Sequence, residues 1–160
     1  MKALNQFSRS EQITGVAGIL LLIGMFAFPW YHIGVAGFTV EGHTYGGASY
    51  NGNALSGPGS FFSIVGLIVL IALLGELVIS RFTTVELPKL PISWRAAELY
   101  GAIAVLALLV IKILFHIGNF GWGFYANIVL AIVMVYGATG LARTQSAQPA
   151  HATAPQHGNY

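Results

Sequence analysis

Four predominantly apolar runs of about 20 residues each, Gln12–Tyr31, Phe61–Ser80, Arg95–Ile117 and Trp122–Leu141, set what this chain can fold into. A helix of that length crosses a hydrocarbon core about 30 Å thick. Lipid offers no water to backbone amides and carbonyls, so each run must satisfy its own, and helix is the structure that does so within one segment. The fold class is therefore all-α: a four-helix transmembrane bundle. Composition agrees, because a chain that is 56% hydrophobic and 8% charged lacks the polar surface of a soluble globule.

The distribution of Lys and Arg orients the bundle. Lys2 and Arg9 precede the first run, Arg81, Lys89 and Arg95 lie between the second and third, and Arg143 follows the fourth. The other two connections carry neither residue. By the positive-inside rule both termini and the middle loop are expected to be cytoplasmic, with residues 34–59 and the reversal near Asn119 outside, as in a multi-pass protein of a bacterial plasma membrane. Trp30, Tyr31 and Trp122 at the outer boundary, and Trp94 at the inner one, read as an aromatic interface belt. The basic start and apolar centre of the first run also suit a signal peptide, but its bulky exit "FPWYH" lacks the small residues of a cleavage site, so a retained span is expected.

Between the first two spans, "FTVEGHTY" alternates β-formers, and Gly-rich dipeptides follow, with Asn51-Gly52 suited to a tight turn. A small external β-hairpin or strand pair capping the bundle is expected, with a flexible loop as the alternative. In the middle loop two prolines stop helices, and Ser93 stands where it caps the third. Residues 144–160 are polar and poor in large aliphatics, and read as a disordered cytoplasmic tail.

The chemistry these residues exclude is broad. With no Cys there is no thiolate catalysis, disulfide exchange or Cys-ligated metal. Seven Lys and Arg scattered over 160 residues form no basic stripe for nucleic acid. His151 and His157, six apart in the tail, are a weak metal signal, and His32 with His116 at the outer boundary are poorly placed to ligate a haem, so no metal and no cofactor is expected.

Five polar membrane positions remain as candidate sites: Glu76, Glu98, Lys112, His116 and Asn127. Glu76 and Glu98 lie near the inner ends of their spans, where Arg81 and Arg95 are expected to pair with them across helices two and three. Glu11, beside Ser10, reads as helix-start chemistry. Lys112 and Asn127 lie equally far from the reversal at residues 118–121, hence at one depth near the outer boundary. A lysine there is expected to snorkel to water, hydrogen-bonded to Asn127 or nearby carbonyls, with contact to an external ligand or a lipid phosphate as the alternative and His116 one turn on. Gly15, Gly18, Gly24, Gly101, Gly137 and Gly140, with Ala97, read as sites of close helix approach.

The stretches "EQITGVAGILLLIGMFAFPWYHIG", "LLVIKIL" and "GWGFYANIVLAIVMVYGA" together resemble uncharacterised bacterial four-span membrane proteins whose first helix ends in an F-x-PWY exit. That resemblance implies the fold and brings no activity. No converging catalytic set is visible, so the expected class is a non-enzymatic structural or accessory component of a membrane or cell-envelope assembly, with the lipid bilayer and protein partners or further copies as its contacts. The alternatives are a small transporter or channel, for which Glu76, Glu98 and Lys112 must line a continuous polar path, and a lipid- or haem-binding enzyme subunit.

Overall fold

The computed structural model describes residues 7–83, 92–115, 118 and 120–146. His116, Asn119, the two middle-loop prolines with Lys89, and residues 147–160 lie outside them. Four helices form: α1 (Arg9–Ala27), α2 (Ser60–Phe82), α3 (Trp94–Ile113) and α4 (Trp122–Ser146). All four are long and apolar enough to cross a membrane. The fold is a four-span bundle with a β-hairpin between helices 1 and 2.

Helix ends follow local chemistry. Ser8 opens α1 through a capping box: its Oγ accepts from the Glu11 amide at 3.3 Å and the Glu11 carboxylate accepts from the Ser8 amide at 2.8 Å. The cap is thus Ser8, and Glu11 three residues on supplies the helix-start chemistry expected of it. The helix stops at Ala27, four residues before the end of the apolar run, because Pro29 forces Phe28 into an extended conformation. Ser93 caps α3 as expected, accepting from the Ala96 amide at 3.3 Å. The fourth helix continues to Ser146, three residues into the segment read as tail.

The helices pack in a ring, α1 against α2 and α4, and α3 against α2 and α4. Leu21, Met25, Leu70, Val105, Leu109, Ala131, Met134 and Ala138 fill the centre and are fully buried. The small residues work as packing sites: Gly15 and Gly18 face Leu77 and Leu74 of α2, and Gly101 faces Leu73 of the same helix. At Gly137 a Cβ would lie 2.8 Å from the backbone nitrogen of Thr14, so α4 meets α1 backbone to backbone.

The hairpin is one antiparallel ribbon in two paired segments that share a register. Strands β1 (Tyr31–Val35) and β4 (Ala48–Gly52) form its root; β2 (Phe38–Val40) and β3 (His43–Tyr45) form its distal part. Its turn is Glu41-Gly42, both at positive φ (50° and 82°), the signature of a type I′ turn. Asn51-Gly52, the expected turn, instead closes β4 at the root. Tyr31 and Gly52 are buried, while the other residues of β1, β2 and β4 stand exposed. The ribbon therefore projects and does not cap. The covering is done by residues 53–59, where Ala54 is fully buried and its amide donates to the Met25 carbonyl at 3.1 Å.

Candidate functional site

Along α3 the buried positions are Glu98, Ala102, Val105, Leu109 and Lys112, spaced by three and four, a single stripe facing the bundle. Lys112 closes that stripe, so its side chain enters the core and is only 1% exposed. Its Nζ donates to the backbone carbonyls of Ala54 and, at 3.0 Å, Ser56. Nζ also lies 5.3 Å from the Trp30 ring centre and 5.2 Å from that of Tyr31. Gly59, at φ 71°, lets the chain pass closely, since a Cβ there would sit 3.3 Å from Lys112 Cγ. The expected snorkelling lysine is thus corrected: it is buried, because its helix face points inward and the covering loop supplies the acceptors. The carbonyl contact that was one of its two expected partners is the one found.

Asn127 is the other. It is fully buried, but its Nδ2 donates to the Gly123 carbonyl at 2.9 Å and its side chain packs where a Gly24 Cβ would sit. Equal depth did not make it a partner, because it is turned toward α1.

Trp30 and Tyr31 are likewise not belt residues. Both are buried and roof Lys112, and Trp30 packs edge-on against Phe124 at 5.3 Å. Burial pushes the Tyr31 phenol up to about 12. The α3–α4 connection adds a third backbone at the ribbon's root: Tyr31 bridges Phe120, and the Gly121 amide donates to the Trp30 carbonyl at 2.8 Å. His32 is exposed, with Nδ1 2.8 Å from Asn51 Oδ1. Its expected companion His116 lies outside the described residues.

The opposite end of the bundle holds a charged cleft of about 310 Å³, lined by Glu11, Glu76, Arg81, Arg95 and Glu98 among others. Arg81 pairs with Glu11 of α1, so the expected bridges from Arg81 to the carboxylates of helices two and three are replaced by one between helices one and two. Glu76 and Glu98 instead set their carboxyl groups against each other. Glu98 is 7% exposed. Among the described residues no three His, Asp or Glu side chains come together as a metal site would require.

Sequence reasoning missed Trp30, Ala54 and Ser56 as partners of Lys112. The stripe spacing on α3 was a readable signal for the lysine's direction; the carbonyls that receive it carry none. Comparison with family models, curated proteins and solved structures finds no match to this chain, so the four spans stand without an identified family.

Proposed function

We propose that this is a non-enzymatic accessory component of a membrane or cell-envelope assembly, which holds the hairpin out as a docking arm toward a protein partner. The observation that carries this reading is the ribbon itself. From Tyr31 to the turn it extends about 33 Å, with Ile33, Val35, Phe38, Val40, Tyr45 and Tyr50 all exposed. A lone two-stranded ribbon is marginal in water and has two open edges. Its one charged residue, Glu41, sits at the turn and leaves both edges unguarded. The root, by contrast, is anchored by Lys112, by the Phe120 bridge and by the Trp30 amide, which donates to the Gly52 carbonyl at 2.7 Å. A stiff anchor beneath an uncovered apolar ribbon suits a partner that adds a strand or lays an apolar face on it.

The Lys and Arg distribution supports placing the ribbon outside the cell and both termini in the cytoplasm. A transport path is disfavoured by what lies between the charged cleft and Lys112: Ala102, Val105 and Leu109 are fully buried, apolar and tightly packed. To test the proposal, residues 36–47 are replaced by a two-residue turn that joins β1 to β4 directly. The expected result is an intact bundle whose native-membrane complex falls to the size of the protein alone. An unchanged complex would overturn the docking role.

A further inference from the structure

Two hollows on α1 lie apart from the distal ribbon, and only the first touches the docking arm, at Tyr50 and its neighbours in β4. The first, a groove of about 500 Å³, opens where α1 ends and is walled by residues 26–29 on one side and 50–53 with Ser56 on the other. The second, about 350 Å³ and almost wholly apolar, lies between α1 and α4 against residues 12, 13, 16, 17 and 20 on one side and Leu130 and Val133 on the other. It straddles the middle of the span, and only its upper end, at Val16 and Leu20, enters the ribbon-side half. Ile13, Leu20 and Ala27 recur every seven residues, so both hollows open on one face of the helix. The exposed residues Val16, Ile19, Leu20, Ile23 and Phe26 join them. From Val16 to Phe26 that track rises about 15 Å, half of a hydrocarbon core about 30 Å thick. A polar hollow at the head of an apolar track one leaflet long has the shape of a lipid.

We propose that α1, the ribbon root and α4 bind one lipid of the leaflet on the ribbon side, with an uncharged, hydroxyl-bearing headgroup in the groove and an acyl chain along the track. The headgroup class follows from the groove's chemistry. Neither Lys nor Arg lines it, and the Lys112 amine nearby is buried and committed to Ala54 and Ser56. A phosphate would find no cation there. What the groove offers is hydrogen bonding and a ring. Asn51 Oδ1 is engaged by His32, leaving its amide nitrogen as a donor. Ser56 Oγ donates to the Asn53 carbonyl at 3.0 Å and keeps its lone pairs as acceptors. Tyr50, 60% exposed, presents an aromatic edge of the groove. Asn53 holds the wall in place, donating to the Phe26 carbonyl at 3.3 Å and accepting from the Leu55 amide at 3.1 Å. Donor, acceptor and ring together match a sugar headgroup. A free saccharide shares that chemistry, but the apolar track beneath the groove fits only the lipid-linked form.

The full chain is reconstituted in phosphatidylcholine vesicles containing either glucosyl-diacylglycerol or phosphatidylglycerol, then extracted gently, and retained lipid is read by native mass spectrometry. The glycolipid is expected to be retained over both phospholipids. Tyr50→Ala, which empties the ring side of the groove, and Leu20→Trp, which fills the apolar slot, are each expected to lower that retention about tenfold, equivalent to about 1.4 kcal/mol. Both residues are exposed and neither closes a buried contact, so unchanged thermal unfolding accompanies the loss. Free glucose in excess is expected not to compete. Equal or better retention of phosphatidylglycerol, displacement by glucose, or full retention in both variants would each overturn the proposal.

Discussion

Replacing Lys112 by Met removes a donor from beneath the covering loop while keeping all but the last atom of the side chain's length. Two backbone carbonyls, Ala54 and Ser56, lose their partner. Each buried carbonyl left unpaired costs about 1 to 3 kcal/mol, and losing the cation's contact with Trp30 and Tyr31 costs up to about 2 kcal/mol when desolvated. The gross loss is about 2 to 8 kcal/mol, centred near 5 kcal/mol. Against it stands the relief of removing a charged group from the membrane, at most roughly 3 kcal/mol, the insertion cost at the bilayer centre. The losses win, and Lys112→Met is expected to destabilise the protein by about 2 kcal/mol, which reverses the outcome for a snorkelling lysine, whose removal is harmless. Denaturant unfolding in detergent reads the first quantity. The second readout uses the absence of native cysteine: Ala54→Cys, fully buried in the wild-type background, is expected to become labelled by a water-soluble thiol reagent when Lys112 is also replaced. A Lys112→Met protein as stable as the wild type, with Ala54→Cys still protected, would refute the reasoning.

Three further outcomes follow from other parts of the molecule. Gly137→Ala is expected to cost about 1 to 3 kcal/mol, because its Cβ drives into the Thr14 backbone, whereas Gly75→Ala, with open space around it, is expected to be neutral or to stabilise by up to about 1 kcal/mol; thermal unfolding of the pair separates the two cases. Alkaline unfolding is expected to carry a Tyr31 component. Its folded phenol ionises near 12 and an unfolded one near 10, so the unfolded chain loses its proton first; stability is full below about pH 10 and declines between there and about pH 12, a decline that Tyr31→Phe removes in a pH series of unfolding curves. Ser8→Ala is expected to cost about 1 kcal/mol by opening the capping box of α1, measured by the same unfolding assay.

Much of the fold was legible because apolar length and backbone satisfaction in lipid admit few solutions, and Ser93 marked the start of α3; the end of α1 was not, since the apolar run continues to Tyr31 past the Pro29 that stops the helix. The hairpin was legible as alternation, but its turn was misplaced: Asn51-Gly52 has the stronger local signature, while pairing along the whole ribbon selects Glu41-Gly42. Depth along α3 placed Lys112 correctly near the hairpin end. Rotation about the helix axis decides burial, and the stripe of Ala102, Val105 and Leu109 contained that information. Its acceptors did not, since backbone carbonyls more than fifty residues away are anonymous in sequence and become partners only through tertiary closure. Arg81 shows the same limit: two carboxylates lay close in span position, yet the guanidinium reached Glu11 of a different helix.

On the proposed role, the exposed ribbon is held out for a protein partner. A photoreactive amino acid at Tyr45, on the distal segment, tests it most directly when activated in intact native membranes. One discrete polypeptide adduct is expected, which disappears when the same probe is moved to Tyr100, an exposed residue of α3. Adducts to lipid alone, or a diffuse set of proteins equal at both positions, would contradict it.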